Sequence, residues 1–289
     1  LEQSREYPQS VQHLDSLLAQ YFNESYARGG SRGEAEKTLY GLMMHSPHLR
    51  PVHLLASSRL ALTGWRKAAP YKSHPPMPRG IALCMAVVLA RAGGWLMAVG
   101  LLLSFHCLLR VGELISVTAG DFALPGDLRF GVAYAQAGFR LARTKTGRNQ
   151  WAAIRSPWIL ALILPLVRGV ARGSRLFPFS AAAFRAAFKS AARLLGLVEH
   201  YTPHSLRHGG ATYLFLRGTP VERILVLGRW ASTPSARTYI QAGRAILTTL
   251  RIPARLAEDA RLFDTDPYAT MLATRSMVAC GQVTSSNCT

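Results

Sequence analysis

The sequence predicts a mainly α-helical protein with one small antiparallel β-sheet, divided into two domains. Apolar residues recur at the spacing of helix faces over most of the 289 residues. Residues 128–155 differ, because short runs rich in aromatic and β-branched side chains are separated there by glycine and turn residues. A proline-rich stretch near residue 70 interrupts the helical patterns and marks a boundary between two parts of the chain.

The first domain is predicted to be helical and short. Helical patterns cover residues 9–27, about 34–44 and about 52–65. Gly29 and Gly30 end the helix at 9–27. The helix at about 52–65 cannot extend through residues 69–80, because four prolines lie there. The expected divisions are a helical domain at 1–70, a linker at 71–80, a second domain at 81–264 and a mobile tail at 265–289.

The most apolar stretch, residues 81–109, could be a membrane span or a buried part of the core. Arg91 and the Gly93-Gly94 pair divide it into two pieces. Each piece is shorter than the roughly 20 residues that a span needs. The sequence therefore predicts two buried helices packed as a hairpin, and no membrane location.

A small antiparallel sheet is predicted after this hairpin, followed by further helices. The expected strands are residues 128–135, 139–143 and 150–155, with Gly138 between the first two and a turn at 146–149. The expected helices are residues 158–171, 180–195, 204–217, 219–228, 233–248 and 252–262.

The charge of the chain indicates a polyanionic partner. Lys and Arg number 34 against 15 Asp and Glu, which gives a formal net charge of +19. The excess is concentrated in residues 81–250, which contain twenty basic and five acidic side chains. Nucleic acid is the first candidate partner and an anionic membrane surface the second. Four cysteines are too few for a disulfide framework.

Common motifs for metal and nucleotide chemistry are absent from the sequence. It contains no Gly-Lys-Ser/Thr phosphate loop, no Cys-x-x-Cys pair and no His-Glu-x-x-His motif. The few carboxylates of residues 81–250 do not form the close pairs of a two-metal nuclease. For action on a phosphodiester, we therefore expect chemistry with no metal and no cofactor.

Metal-free phosphoryl transfer needs a nucleophile, cations for the non-bridging oxygens and an acid for the leaving group. His204 and Arg207 are three residues apart, so they share one face of a helix. Thr202-Pro203 suits the start of that helix, and a helix N-terminus favours anions. These two side chains are thus the first candidates for a phosphate site.

Four further residues extend this pattern along the chain. Trp230 lies 23 residues after Arg207, and Tyr239 lies nine residues after Trp230. Upstream, Arg110 opens the sequence Arg-Val-Gly-Glu-Leu at the end of the predicted buried hairpin. Lys145 lies at the predicted tip between two strands. Together the residues supply cations, an imidazole and a phenol in a fixed order.

This ordered set resembles the active site of the tyrosine recombinases. The stretches at residues 109–114, 143–146 and 204–208 match motifs of that family, and the resemblance covers residues 78–250. Residues 1–70 resemble the helical core-binding domain of the family only in length and helical character. Gly209 is a departure, because the family often has a small hydroxyl residue at this position.

The resemblance implies roles for the nucleophile and the cations. Tyr239 would attack the scissile phosphate and form a 3′-phosphotyrosine. Arg110 and Arg207 would hold the non-bridging oxygens, where the planar fork of Arg is better suited than Lys. Lys145 would protonate the leaving 5′-oxygen.

The resemblance also implies supporting roles. His204 would assist proton transfer at the nucleophile, and Trp230 would support the phosphate by its indole N–H and by packing. Glu113 would orient the site from behind the reacting groups. Further DNA contacts are expected from Arg143, Arg148, Arg79 and Lys72.

The resemblance implies that the two domains form a C-shaped clamp on double-stranded DNA. It also implies that four copies of the chain act together, as a homo-tetramer on two DNA sites. The segment after Tyr239 would dock on a neighbouring subunit through its apolar side, formed by Ile246, Leu247, Leu250, Ile252, Leu256 and Leu262. The expected location is with the DNA, in a nucleus or in a bacterial cytoplasm, and not outside the cell.

Two other functions fit the same residues. An enzyme similar to type IB topoisomerases would share the chemistry but would need no second DNA site. A catalytically silent DNA-binding relic of a mobile element would keep the fold without the reaction. The resemblance favours an active recombinase of a mobile element that integrates or excises DNA.

Overall fold

The structure, a computed structural model, describes residues 8–69, 74–128, 136–144, 147–197, 200–240, 258 and 261. The chain divides into two compact units, with the division between Ser73 and His74. Each unit contains its own apolar core, and helices make up most of the described part of both. The mainly helical fold that the sequence predicts is confirmed.

The described part of the first unit is a small helical bundle. It consists of α1 (Val11–Ala27), α2 (Arg32–His45) and α3 (Ala56–Ala68), with 3₁₀ turns at Pro47–Leu49 and Val52–Leu55. Its core contains Leu18, Phe22, Leu39, Leu55 and Trp65. The buried carboxylate of Asp15 closes the start of α3, because it accepts hydrogen bonds from the N–H groups of Ser57 and Ser58 at 2.9 and 2.8 Å. Burial alone would raise the pKa of Asp15, but the hydrogen bonds from Ser58 and Ser57 hold it below its usual value.

The second unit begins with the hairpin of buried helices that the sequence predicts. Helix α4 (Arg79–Arg91) and helix α5 (Trp95–His106) meet near Gly93, which has a φ of +79° that suits glycine. Both helices are buried on most sides and form the centre of the larger core. None of the described helices is long and apolar enough to cross a membrane.

The other described helices of this unit pack against the hairpin or against one another. They are α6 (Val111–Ser116), α7 (Pro157–Arg168), α8 (Ala181–Leu194), α9 (Pro203–Leu216), α10 (Val221–Gly228) and α11 (Thr233–Tyr239). Helix α9 contacts α4 and α5 as well as α10 and α11. It therefore joins the core of the unit to α10 and α11.

A small antiparallel sheet is also confirmed, but its first strand is not the predicted one. Within the described residues the strands are β1 (Phe122–Ala123), β2 (Gly138–Thr144) and β3 (Gly147–Ala153), in that order. The prediction of a strand at 128–135 is wrong at Leu128, which is exposed and irregular, and residues 129–135 lie outside the described part. Strand β1 pairs with β2 instead, because the buried rings of Phe122 and Phe139 meet across the strands at 4.9 Å.

The predicted turn at 146–149 also needs correction. Residues 147–149 belong to β3, and the pairing with β2 continues as far as Thr144 opposite Gly147. The Thr144 hydroxyl contacts the Gly147 carbonyl at 3.1 Å and Gln150 Oε1 at 2.8 Å, which fastens this end of the hairpin. Lys145 and Thr146 lie outside the described residues.

Two helix boundaries near predicted site residues differ from expectation. Arg110 does not end the buried helix: α5 ends at His106, Leu108 has a φ of +53°, and Arg110 is the N-cap of α6. The Glu113 carboxylate accepts the Arg110 N–H at 3.0 Å and so starts the new helix.

Helix α11 ends earlier than predicted, at Tyr239 rather than at residue 248. The Tyr239 carbonyl accepts a hydrogen bond from Thr212 Oγ1 at 3.2 Å, and Ile240 is extended. The predictions for residues 241–248, for the helix at 252–262 and for the tail lie outside the described part, apart from Glu258 and Arg261, which are helical.

Candidate active site

Helix α9 carries two of the predicted site residues and starts as the sequence predicts. Thr202 is its N-cap and Pro203 its first residue, and the Thr202 N–H donates to Ser205 Oγ at 3.1 Å. His204 and Arg207 follow on one face, His204 half-buried and Arg207 fully buried. The phosphate-site candidates therefore sit on a helix whose start is well capped.

Two glycines let helix α9 approach its neighbours closely. A Cβ atom at Gly209 would overlap the carbonyl oxygen of Met77, and one at Gly210 would overlap that of Phe105. The Met77 N–H in turn donates to the Ser205 carbonyl at 3.0 Å. The departure from the family at residue 209 thus has a packing reason, since this backbone has no room for a side chain there.

Tyr239 lies among side chains from α9 and from the end of α10. Its ring stacks on His208 with centroids 4.4 Å apart, and lies 4.8 Å from Trp230 and 5.4 Å from His204. The Arg207 guanidinium carbon is 5.4 Å from the centroid of the same ring. Residues that are 35 positions apart in sequence therefore form one cluster around the phenol.

The Arg207 side chain is 0% exposed and largely held by backbone. Its Nη1 donates to the Leu108 carbonyl and its Nη2 to the Gly228 carbonyl. The guanidinium also covers the Trp230 ring at 4.5 Å. Burial, with Arg110 and Arg229 nearby, lowers the pKa of Arg207 to about 9.

Two buried donors in this cluster have no acceptor among the described residues. They are Nε of Arg207 and Nε1 of Trp230. A buried N–H without a partner costs free energy, and such groups are few in folded proteins. The pair is therefore suited to a ligand that supplies oxygen atoms.

Glu113 is the buried carboxylate that joins the arginines of the site. Its Oε1 accepts from Arg110 Nη1 at 2.6 Å, and its Oε2 accepts from Arg229 Nη2 at 3.0 Å. Arg207 Nη1 lies 3.9 Å from the same carboxylate. Burial alone would raise the pKa of Glu113, but Arg229, Arg110 and Arg207 hold it below the usual value. Three arginines thus surround one carboxylate, which leaves the cluster with a net positive charge.

Imidazoles form a second group beside Tyr239. The His74 ring lies 5.2 Å from that of His204, and its Nδ1 contacts Thr202 Oγ1 at 3.2 Å. Burial lowers the pKa of His74. Burial and the neighbouring His204 lower the pKa of His208 to about 3, so its ring is neutral at physiological pH.

A cavity of about 550 Å³ opens beside Arg110 and His204. Arg185 and Lys189, one turn apart on α8, line its other side together with His200. Both α8 cations are exposed, whereas Phe184 and Phe188 of the same helix are buried in the core. The cavity is accordingly bordered by basic groups from three parts of the unit.

The other cations predicted to contact DNA differ in their exposure to solvent. Arg143 and Arg148 are exposed and lie directly opposite each other on β2 and β3. Arg79 is half-buried, and its guanidinium lies 5.9 Å from the Trp158 ring and 5.7 Å from the Tyr213 ring. Arg79 therefore has a packing role on the surface of the core. Lys145 and Lys72 lie outside the described residues.

Arg229, His208, Arg185 and Lys189 are site neighbours that were not predicted from the sequence. A signal existed for His208, which follows His204 by four residues and so shares its helix face. Arg229 directly precedes Trp230, but nothing local to it indicates a pairing with a carboxylate 116 residues away.

The chain is similar to known proteins in its sequence pattern and in its fold. The sequence pattern of the phage integrase family matches residues 91–245, which is more than half of the chain. None of the curated protein sequences matches the chain.

Three solved structures illustrate the likeness in fold. The Tn1549 transposon integrase in complex with circular intermediate DNA has 13% identity and a TM-score of 0.58, over 86% of this chain and 89% of that one. A lambda integrase dimer bound to a COC′ core site has 16% identity and a TM-score of 0.56, over 87% of both chains. The XerH site-specific recombinase bound to its difH substrate has 14% identity and a TM-score of 0.51, over 85% and 73%.

Proposed function

The chain belongs to the phage integrase family of tyrosine recombinases, and from that premise we propose that it recombines DNA at specific sites through a 3′-phosphotyrosine at Tyr239. The family makes it a DNA recombinase. The choice of nucleophile and the roles of the other residues are the parts proposed here.

The observation that carries the proposal is the cluster around the Tyr239 phenol. Arg207, His204 and Trp230 all contact that ring. Arg207 Nε and Trp230 Nε1 are buried donors with no acceptor among the described residues. Both nitrogens belong to side chains that pack near the phenol ring, so a phosphate that reached them would lie next to the nucleophile.

Cleavage would be a transesterification at phosphorus. Tyr239 Oη forms a bond to phosphorus and gives its proton to His204, while the bond from phosphorus to the 5′-oxygen breaks. Lys145 gives a proton to that oxygen. The number of phosphodiester bonds is unchanged, so attack by a 5′-hydroxyl of another strand reverses the step and needs no nucleotide cofactor.

Charge in the cluster favours the same reaction. Arg110, Arg207 and Arg229 surround the single carboxylate of Glu113, and the excess positive charge stabilises an anion. Arg110 also borders the cavity that contains His204, where it can reach a non-bridging oxygen. In a buried site such charges act more strongly than in water.

Two further groups of exposed cations lie outside the cluster. Arg185 and Lys189 line the far side of the cavity, and Arg143 faces Arg148 across the hairpin. Like charges directly opposite on a sheet are destabilising unless an anion lies between or beside them. These exposed cations support a DNA-binding surface on the second unit.

The test is a covalent-adduct assay with nicked duplexes that carry randomised sites, in the presence of EDTA. We expect wild type to form a denaturation-resistant DNA adduct, and peptide mapping to assign it to Tyr239. Tyr239→Phe should form none, whereas Tyr213→Phe, which changes a half-buried tyrosine of α9, should form it. Salt-sensitive DNA binding without an adduct would indicate a silent DNA-binding protein instead.

The same assay separates the remaining proposals. A freed 5′-hydroxyl shows that the tyrosine is on the 3′ side. Relaxation of plasmids that lack any selected site, by the monomer, would favour a type IB topoisomerase-like activity. Selected sites that border the coding segment would support an origin in a mobile element.

We also propose that the active assembly is a homo-tetramer on two DNA sites, in which the segment after Tyr239 docks on a neighbour. Removal of residues 245–289 should leave cleavage but abolish cooperative assembly on DNA. Sedimentation of the complex with the selected duplex measures this, and unchanged assembly would contradict it.

A further inference from the structure

Arg229 is a buried arginine whose two terminal nitrogens, Nη1 and Nη2, both donate hydrogen bonds. Its side chain is 4% exposed. Nη1 donates to the carbonyl oxygens of Cys107 and Leu227 at 3.2 and 3.0 Å. Nη2 donates to the Leu108 carbonyl at 2.9 Å and to Glu113 Oε2 at 3.0 Å. The planar guanidinium therefore ties the end of α10 to the segment between α5 and α6.

The backbone of Arg229 is in a conformation that favours glycine. Its φ is +57° and its ψ is +42°, at the C-cap of α10. A side chain other than glycine is strained there. Leu108, whose carbonyl it holds, also has a positive φ of +53°. An arginine kept at such a position, with its side chain turned inward, indicates a role for the guanidinium itself.

The contact with Glu113 links Arg229 to the phosphate cations. Glu113 Oε2 accepts from Arg229 and from the Arg110 N–H, while its Oε1 accepts from Arg110 Nη1 at 2.6 Å. Arg207 also lies near Oε2, with its Nη1 at 3.9 Å. Without Arg229, the carboxylate would keep its two bonds from Arg110 but would lose the contact that holds Oε2 away from Arg207, so its direction and that of the Arg110 guanidinium would change.

We propose that Arg229 is a positioning residue, which fixes the Glu113 carboxylate and the carbonyls of residues 107 and 108 so that Arg110 faces the scissile phosphate. The inference rests on the proposed function and extends it to a residue that touches no substrate. Lysine cannot replace Arg229, because a single ammonium does not reach acceptors in four directions with the geometry of a fork.

The experiment compares wild type with Arg229→Gly and Arg229→Lys. Glycine relieves the backbone but removes four buried hydrogen bonds, so a purely structural role predicts a less stable protein whose folded form cleaves at the wild-type rate. For a positioning role we expect duplex binding within about twofold of wild type and a single-turnover cleavage rate about 10- to 100-fold lower, the range found when residues that orient metal ligands are removed. Arg223→Ala, an exposed arginine of the same helix, is the matched control and keeps the rate.

A double-mutant cycle with Glu113→Gln tests the route of the effect. If Arg229 acts through Glu113, then Arg229→Gly costs little more in the Glu113→Gln background. A further loss of about tenfold there would overturn the proposal. A folded Arg229→Gly protein that cleaves at the wild-type rate would also overturn the proposal. If the glycine variant does not fold, the cleavage rate of Arg229→Lys is compared with that of wild type instead.

A measurement that needs no cleavage separates this inference from the proposed function. Carbon-13 NMR of labelled glutamate, assigned with Glu113→Gln, follows the titration of the Glu113 carboxyl. We expect its pKa to rise in Arg229→Gly, because the positive charge of Arg229, which holds it below its usual value, is removed. Absence of an adduct in wild type would refute the proposed function, whereas an unchanged Glu113 titration would refute the positioning role.

Discussion

The imidazole of His208 stacks on the phenol of Tyr239, with centroids 4.4 Å apart and ring planes 28° from parallel. The His208 ring also hydrogen-bonds the Tyr239 backbone, and Thr212 Oγ1 donates to the Tyr239 carbonyl at 3.2 Å. His208 and Thr212 are one turn apart on α9. The helix that carries His204 and Arg207 therefore holds both the ring and the main chain of the proposed nucleophile.

This stack makes the stability of the second unit depend on pH. Burial and His204 lower the pKa of His208 to about 3, against 6.5 in the unfolded chain. Between these values the unfolded chain binds a proton that the folded protein does not. The contribution of His208 to the free energy of unfolding is therefore largest above pH 6.5 and falls as the pH is lowered toward 3, by up to about 1.4 kcal/mol per pH unit.

His208→Phe tests this dependence, because phenylalanine keeps an aromatic ring and removes the titrating group. Urea unfolding between pH 7 and 4.5 should show a flatter slope in this variant. Some slope should remain, since burial also lowers the pKa of His74. The exposed His45→Gln is the control and should keep the wild-type slope. A wild-type slope in His208→Phe would contradict the assignment.

The α8 cations should contribute to DNA affinity through phosphate contacts. The double variant Arg185→Ala and Lys189→Ala should weaken duplex binding and reduce the slope of log K against log salt by about 2, because each lost phosphate contact removes about 0.9. Fluorescence anisotropy at several salt concentrations measures this slope. Arg168→Ala with Arg172→Ala, both exposed and away from the cavity containing His204, is the matched control. Equal slopes in the two double variants would remove α8 from the DNA surface.

The hairpin arginines should show opposite effects on stability and on binding. Arg148→Glu places a carboxylate opposite Arg143, so we expect the sheet to be stabilised by about 0.2–1 kcal/mol. The same change should weaken duplex binding, since a cation is replaced by an anion. Thermal unfolding and anisotropy measure the two effects. Arg148→Gln should lie between wild type and Arg148→Glu in both, and a gain in affinity for either variant would contradict the prediction.

Gly209→Ala should destabilise the second unit by about 1–3 kcal/mol, because the added methyl group would overlap the Met77 carbonyl. Urea unfolding measures the loss. The control is Gly80→Ala in α4, where a Cβ atom meets nothing within 4 Å and alanine favours the helix. An equal stability change for the two variants would show that α9 can move away from residue 77.

Much of the helical scaffold could be predicted from the sequence, because its signals are local. The α4–α5 hairpin follows from an apolar run broken near Gly93, and the start of α9 from Thr202-Pro203. Strand β1 could not be predicted, since it depends on Phe122 meeting Phe139 across the sheet. The assignment of Tyr239 as nucleophile stays a prediction.

The site was predicted in outline, because the order of its residues is visible in the chain. The contacts that hold these residues in place could not be predicted. Local preference argues against positive φ angles at Leu108 and Arg229, yet these two residues form the link between α10 and the start of α6. The contact of Arg229 with Glu113 spans 116 positions, and no local pattern indicates such a pair.

Gly209 and Gly210 have a consequence for how variation among relatives is interpreted. Both lie immediately after the Arg207-His208 pair, and both face a backbone carbonyl of a preceding segment. Purifying selection for glycine at these positions would reflect the close approach of the α9 backbone to the backbone at residues 77 and 105. It would not show that either glycine takes part in the reaction. A relative that carries a side chain there must have shifted α9 away from residues 77 and 105, so its imidazole and guanidinium would be aligned by a different scaffold.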